Sequence, residues 1–262
     1  MRILQIDAFT DEPFKGNPAA VCLLDREVSD GWMGAVAAEM NLSETAFLRR
    51  DGDGFGLRWF TPTVEVALCG HATLASAHAL WEEGDVTDGE PIRFATRSGV
   101  LTASSQDGQI QLDFPATAPR PAEPPPGLLE ALGVKAPGWV GRSRFDYLVE
   151  VGSEQAVRAL RPDIQRLRAV QTRGVTVTAP GSQGSPFDFV SRFFAPTAGV
   201  DEDPVTGSAH CCLAPFWSER LGKDELVGYQ ASRRGGVVRT RMNGDRVVLG
   251  GQAVTILRGE LR

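Results

Sequence analysis

The segment RFFAPTAGVDEDPVTGSAHCC, Arg192–Cys212, repeats in outline an earlier one, RWFTPTVEVALCGHATL, Arg58–Leu74. Both open on arginine, an aromatic residue and phenylalanine, pass a Pro-Thr pair, and reach a glycine that begins an apolar run. The opening triplets stand 134 residues apart, and Gly70 and Gly207 stand 137 apart. Further on, Arg97-Ser98-Gly99-Val100 and Arg234-Gly235-Gly236-Val237 again stand 137 apart. The order is kept, with one three-residue insertion in the second copy. Three matches in one order predict a duplicated domain.

Each copy reads as strand, Pro-Thr loop, glycine, helix. The first helix, His71 to about Trp81, is apolar on nearly every face, and such a helix must be enclosed. The second starts at about Ser208 and runs through Leu213, Phe216 and Trp217. Pro215 lies inside it and is expected to kink it or end its first part. Period-two alternation predicts strands at Arg2–Phe9, Ala19–Leu24, Phe55–Phe60, Ile92–Thr96, Val100–Ser104 and Gln109–Phe114. Later strands are expected near Tyr147–Val151, Val175–Thr178, Phe187–Phe194, Gly236–Met242 and Arg246–Leu249. Ser29 is placed to cap a helix over Asp30–Met40, and another helix is expected over Ser153–Leu160. The expected class is α+β, with two similar strand-rich domains, each wrapped around one buried helix, and a cleft between them. The proline-rich stretch ATAPRPAEPPPG, residues 116–127, cannot enter a sheet interior. It is assigned as the linker between domains covering residues 1–115 and 128–262.

Composition narrows the function. The chain has 262 residues and a net charge of −6, which disfavours nucleic acid or an anionic membrane as partner. Its apolar runs are too short to span a bilayer, and its start lacks the basic end and apolar stretch of a signal peptide. Four cysteines at irregular spacing, two of them adjacent, do not form a disulfide framework. A reducing cytoplasm is the expected location.

The helix starts are the candidate chemistry. The first N–H groups of a helix have no internal partner and carry the positive end of its dipole. Gly70 and Gly207 allow close approach there, so two such ends facing one cleft would receive a carboxylate. Ser208 adds a hydroxyl donor and His71 a switchable one; Ser208 also reads as a simple helix cap. Asp203 precedes Pro204 and reads either as an Asx-turn acid or as a catalytic one. Glu44 stands at the mouth of an apolar strand, where burial would raise its pKa from about 4.3 towards neutrality, as a general base requires. A surface glutamate is the alternative from position alone.

Taken together, Asp7-Ala8-Phe9-Thr10, Gly16-Asn17-Pro18-Ala19-Ala20-Val21, Asn41-Leu42-Ser43-Glu44-Thr45-Ala46-Phe47, Phe60-Thr61-Pro62, Cys69-Gly70-His71-Ala72-Thr73 and Glu202-Asp203-Pro204-Val205-Thr206-Gly207-Ser208-Ala209 resemble the PhzF-like family of phenazine-biosynthesis isomerases. The resemblance covers nearly the whole chain. It implies a diaminopimelate-epimerase-like fold of two barrels, each around a helix, with the last strand, about 253–262, packing with the first domain. It implies isomerisation of a small carboxylate-bearing substrate by proton transfer, without cofactor or metal, in a homodimer. The catalytic glutamate maps onto Glu44, and the site histidine, aspartate and serine onto His71, Asp203 and Ser208. Gly70, Thr206 and Gly207 are then expected to bind substrate.

Two other chemistries compete. Thiol racemases of this fold class use one cysteine from each half. Cys69 fits one position, but its counterpart is Thr206. A metal at His210, Cys211 and Cys212 is disfavoured because successive helix residues point about 100° apart. His71 and His78 share a face but lack further ligands at zinc-like spacing. A non-catalytic binding protein with the same cleft is the third class.

Overall fold

A computed structural model describes every residue, Met1–Arg262. The chain divides into two compact units, Met1–Phe114 with Val248–Arg262, and Pro115–Val247. The first unit contains β1 (Arg2–Ala8), β2 (Asn17–Leu23), α1 (Asp30–Met40), β3 (Glu44–Asp51), β4 (Gly54–Phe60), β5 (Glu65–Val66), α2 (Gly70–Glu82), β6 (Ile92–Thr96), β7 (Gly99–Gln106) and β8 (Gln109–Pro115). The second contains β9 (Arg120–Pro121), α3 (Leu128–Leu132), β10 (Trp139–Arg142), β11 (Tyr147–Glu150), α4 (Glu154–Ala159), α5 (Ile164–Ala169), β12 (Val175–Pro180), β13 (Phe189–Ala195), β14 (Val200–Asp203), α6 (Gly207–Leu221), β15 (Glu225–Gln230) and β16 (Gly236–Asn243). β17 (Arg246–Gly251) spans the division, and β18 (Ala253–Glu260) closes the chain by pairing antiparallel with β1.

The duplication is written in the strand pairing. In the first unit, β1/β2 is antiparallel, β2/β3 parallel, β3/β4 antiparallel, β4/β6 parallel and β6/β7 antiparallel. In the second, β10/β11, β11/β12, β12/β13, β13/β15 and β15/β16 follow the same alternation. Parallel neighbours need a crossover. α1 and α2 supply the two in the first unit; α4 with α5, and α6, supply those in the second.

The repeated arginine has a structural reason. Arg58 donates from Nε and Nη2 to the two carboxylate oxygens of Glu65, at 2.7 and 2.8 Å. Arg192 donates in the same way to Glu202, at 2.7 and 2.9 Å. The guanidinium groups lie over Phe60 and Phe194, at 5.2 and 4.9 Å from the ring centroids. The planar fork thus ties each Pro-Thr loop to its strand in both copies, and those loops lead to the central helices.

α2 is enclosed as its composition requires: His71 through Ala77, Ala79 and Leu80 are buried. It packs against β1, β2, β3 and β18. Its internal hydroxyls are satisfied by the preceding turn, Thr73 Oγ1 donating to the Cys69 carbonyl and Ser76 Oγ to that of Ala72. α6 continues from Gly207 to Leu221 through Pro215, so the proline does not end the helix. A proline orphans the carbonyl four residues before it. Here that carbonyl, on Cys211, accepts the N–H of Thr117 at 3.0 Å.

The proline-rich stretch makes backbone pairings. Arg120–Pro121 pairs with β10, and the N–H groups of Ala116 and Ala122 bond Asp245 and Val140. Ser29 caps α1, its Oγ accepting from Trp32 N at 3.2 Å. No helix is long and apolar enough to cross a membrane.

Candidate active site

At the start of α2, three elements meet. Cys69 precedes the helix in an extended conformation, and no side chain caps the first turn. The leading N–H groups therefore keep their capacity for an external acceptor. His71, in that turn, is 5% exposed. Its Nδ1 lies 3.2 Å from the amide nitrogen of buried Asn17 and 3.5 Å from Cys69 Sγ. Its Nε2 lies 3.3 Å from Glu44 Oε2, without the alignment of a full hydrogen bond. Burial pushes the His71 pKa down to about 3, so the ring is neutral at ordinary pH. With the Asn17 amide donating to Nδ1, the single ring proton sits on Nε2 and faces the Glu44 carboxylate.

The backbone dictates this convergence. Glu44 is the first residue of β3, and its side chain is 18% exposed. Asn17 opens β2 after a loop that contains Phe9 and Phe14 at positive φ and Gly16 at φ +62°. A Cβ on Gly16 would lie 2.2 Å from the Ala8 carbonyl oxygen, so only glycine fits that turn. The Phe14 N–H is held by buried Asp7, at 2.7 Å.

The start of α6 is likewise uncapped by a side chain. Asp203 accepts from Thr206 Oγ1. Gln230, fully buried on β15, clamps both ends of this turn. Its Oε1 accepts from Thr206 N at 2.9 Å, and its Nε2 donates to the Asp203 carbonyl at 2.7 Å and to Thr206 Oγ1 at 3.1 Å. Ser208 Oγ accepts from Arg173 Nη2 at 3.1 Å, and Arg173 is itself paired with the carboxylate of Asp146.

Glu44, Gly70 and His71 therefore gather in the first unit, and Asp203, Thr206, Gly207 and Ser208 gather in the second. Asp146, Arg173 and Gln230 are additions that the sequence did not flag, and Asn17, quoted only within a family motif, gains its role here. Each meets its partners across 24 to 54 residues, through strand topology rather than local spacing. His210, Cys211 and Cys212 are all buried. His210 donates Nδ1–H to the Thr206 carbonyl at 2.9 Å, and burial pushes its pKa down to about 4. Burial pushes the Cys212 thiol up to about 12, with the Asp146 charge acting in the same direction. A thiol held protonated is a packing group.

Glu44, Cys69 and His71 form the one cluster of metal-ligand type, their donor atoms within 4.8 Å of one another. His71 turns different nitrogens to its two neighbours, Nδ1 to Cys69 and Nε2 to Glu44.

Comparison with known proteins gives the family. Residues 6–259 match the PhzC-PhzF family, described as phenazine biosynthesis-like protein. The chain belongs to that family. A relative from Halalkalibacterium halodurans, described as an uncharacterised isomerase, is 55% identical over 99% of this chain and 97% of its own. A crystal structure of a PhzF-family protein from Enterococcus faecalis superposes with a TM-score of 0.94, at 40% identity over 100% of this chain and 98% of that one. The PhzF-like fold extends to more distant proteins. A probable proline racemase from Agrobacterium radiobacter shares it at a TM-score of 0.69 and 10% identity, over 100% and 92% of the two chains.

Proposed function

We propose that this PhzF-like protein is a cofactor-independent isomerase that moves a proton between two carbons of a small carboxylate-bearing metabolite, with Glu44 as the base. The observation that carries this reading is the Glu44 carboxylate set 3.3 Å from a buried, neutral His71, beside an uncapped helix start. Glu44 takes a proton from carbon adjacent to a conjugated carboxylate or carbonyl, and negative charge develops on that group's oxygen. Helix-start N–H groups at Gly70 and His71 are fixed donors for such charge. Nε2–H of His71 orients the carboxylate of Glu44. Glu44 then returns the proton to another carbon of the same system, so no electron pair leaves the substrate and no oxidant is needed. Asp203 orients the substrate or passes a proton, while Gly207 and Ser208 bind its carboxylate; Thr206, whose N–H and hydroxyl are committed to Gln230 and Asp203, holds their turn. The family resemblance adds a homodimer, which light scattering at micromolar concentration tests directly.

The deciding experiment is carbon-bound deuterium uptake in D2O. A panel of small cyclic unsaturated, 2-hydroxy and 2-amino carboxylates is incubated with the natural protein and with Glu44→Gln. At least one compound is expected to exchange with the former and not with the latter. Exchange that survives the substitution removes Glu44 as the base. Binding without exchange across the panel points instead to a non-catalytic carboxylate-binding protein.

A further inference from the structure

Arg173 has no part in the proton transfer just described, yet it is held in place with unusual care. Its Nε donates to Asp146 Oδ1 at 2.8 Å, its Nη2 donates to Oδ2, and the same Nη2 reaches Ser208 Oγ at 3.1 Å. The side chain of Asp146 is 7% exposed and that of Arg173 is 45% exposed. Burying a carboxylate costs free energy unless it is paired and hydrogen-bonded. Here the buried acid fixes the fork of a half-exposed arginine and leaves Nη1 directed away from the pair. The guanidinium lies 5.1 Å from the Phe145 ring centroid, and that of Arg144, which makes no ion pair, lies over the same ring at 5.1 Å. Two guanidinium groups and the buried acid thus gather at the positive end of α6, where Asp203 also pairs with Thr206. Because Ser208 Oγ accepts from Arg173, its own proton remains available to donate outward.

The first unit shows what this corner replaces. Thr45 lies opposite Phe60 on β4, and Val175 lies opposite Phe194 on β13. Glu44 and Gly174 therefore hold matching places. A Cβ on Gly174 would come within 2.4 Å of the Phe193 ring and 3.2 Å of Asp146 Oδ1. No acid fits there, and the neighbouring residue, Arg173, supplies the opposite charge.

We infer that Arg173 is a specificity-determining residue that binds an anionic carboxylate of the substrate through Nη1, together with the Ser208 hydroxyl and the α6 helix start. The inference rests on the reading above, in which the α6 start receives the substrate carboxylate. It adds that the guanidinium, rather than the helix dipole alone, makes the second unit select a charged carboxylate over a neutral group of the same shape.

The test uses benzoate and its neutral isostere benzamide as probes, followed by the backbone amide resonances of the ¹⁵N-labelled full chain. In the natural protein, benzoate should shift the Gly207 and Ser208 amides saturably and benzamide should do so far more weakly. Arg173→Gln should weaken benzoate at those amides by about tenfold or more, the size expected for a hydrogen bond to a charged group. Responses at Gly70 and His71 should be unchanged. Arg173→Lys keeps the charge without the fork and should retain part of the affinity. Equal binding of the two probes in the natural protein, or undiminished benzoate binding in Arg173→Gln, overturns the inference while leaving Glu44 chemistry intact. Equal losses in Arg173→Gln and Arg173→Lys at all four amides also overturn it, since they mark a purely structural role. Silence of the Gly207 and Ser208 amides towards both probes removes the inference and the carboxylate site of α6 together.

Discussion

Glu44 begins β3 and Gly174 immediately precedes β12, at matching places in two units whose strands pair in the same order. His71 and Ser208 each follow the glycine that begins a central helix. Asn17 and Arg144 also correspond, since Ala20 lies opposite Thr45 and Tyr147 opposite Val175. The first corner therefore holds an acid, an amide and a neutral imidazole, and the second a pair of guanidinium groups, two acids and a hydroxyl. What stayed constant across the duplication is the frame, above all the bidentate Arg58–Glu65 and Arg192–Glu202 pairs and the uncapped helix starts. What changed is charge. A proton-transfer site needs both a base and a place for the developing negative charge. Two copies of one frame can specialise for those needs separately.

The comparison breaks most decisively at Glu44. Glu44→Gln should lower turnover by about 10²–10⁴-fold with little change in binding, because it removes a group that acts in the transition state. Ser208→Ala should act mainly on KM, by roughly tenfold, as loss of a hydrogen bond to a charged group. Steady-state kinetics on whichever carboxylate exchanges deuterium separate the two effects. A matching fall in kcat for both variants would erase the division of labour.

The next effect is on stability and is shared by the two units. Burial lowers the His71 pKa to about 3 and that of His210 to about 4, and burial lowers His78 as well. In the unfolded chain a histidine titrates near 6.5. Between these values the unfolded chain holds protons that the native chain does not, so stability is full above about pH 6.5 and falls as pH drops towards the folded values. The slope is up to ~1.4 kcal/mol per pH unit for each group. Urea unfolding at pH 7, 6 and 5, above most carboxylate titration, should show this loss, and His210→Gln should flatten it. A flat profile over that range would mean that the imidazoles are not buried as described.

A smaller effect distinguishes the second corner. Asp146→Ala removes the acceptor for two guanidinium N–H groups, but Arg173 retains access to water. The expected loss is roughly 1–3 kcal/mol, the range for a hydrogen bond to a charged group. It is read as a lower melting temperature with Glu44-dependent exchange still detectable. A melting temperature equal to that of the natural protein would show that the buried acid does not hold the arginine.

These residues mark where sequence stops being legible. The α1 cap at Ser29, the all-round apolar character of α2 and the glycine helix starts depend on neighbours within a few positions, and the repeat on like residues in one order, so pattern alone exposes them. At Pro215 the local pattern shows the orphaned carbonyl but not its donor, Thr117, which lies far along the chain. Asp146, Arg173 and Gln230 were silent for the same reason, and Asn17 stood out only within a family motif. Each acquires meaning only when strand pairing brings distant segments together, and none has a counterpart of its own type in the other copy to draw attention to it.

The smallest expected effect concerns Cys69. Its Sγ lies 3.5 Å from His71 Nδ1, and the cysteine takes the place before the helix glycine that a thiol base would occupy. A thiol racemase needs a partner thiol in the other copy, and Thr206 stands there with its hydroxyl committed to Asp203. The sulfur then serves as a small apolar contact beside the imidazole. Asn17 already addresses the same nitrogen at 3.2 Å, so Cys69→Ser should leave the His71 tautomer unchanged. Turnover should therefore change by less than the roughly tenfold effect of a hydrogen bond to a charged group. Deuterium exchange in Cys69→Ser set beside Glu44→Gln decides the matter. A loss in the serine variant as large as that in the glutamine variant would make the sulfur the base. The difference between the two units would then lie in which copy kept its thiol, not in which copy kept its acid.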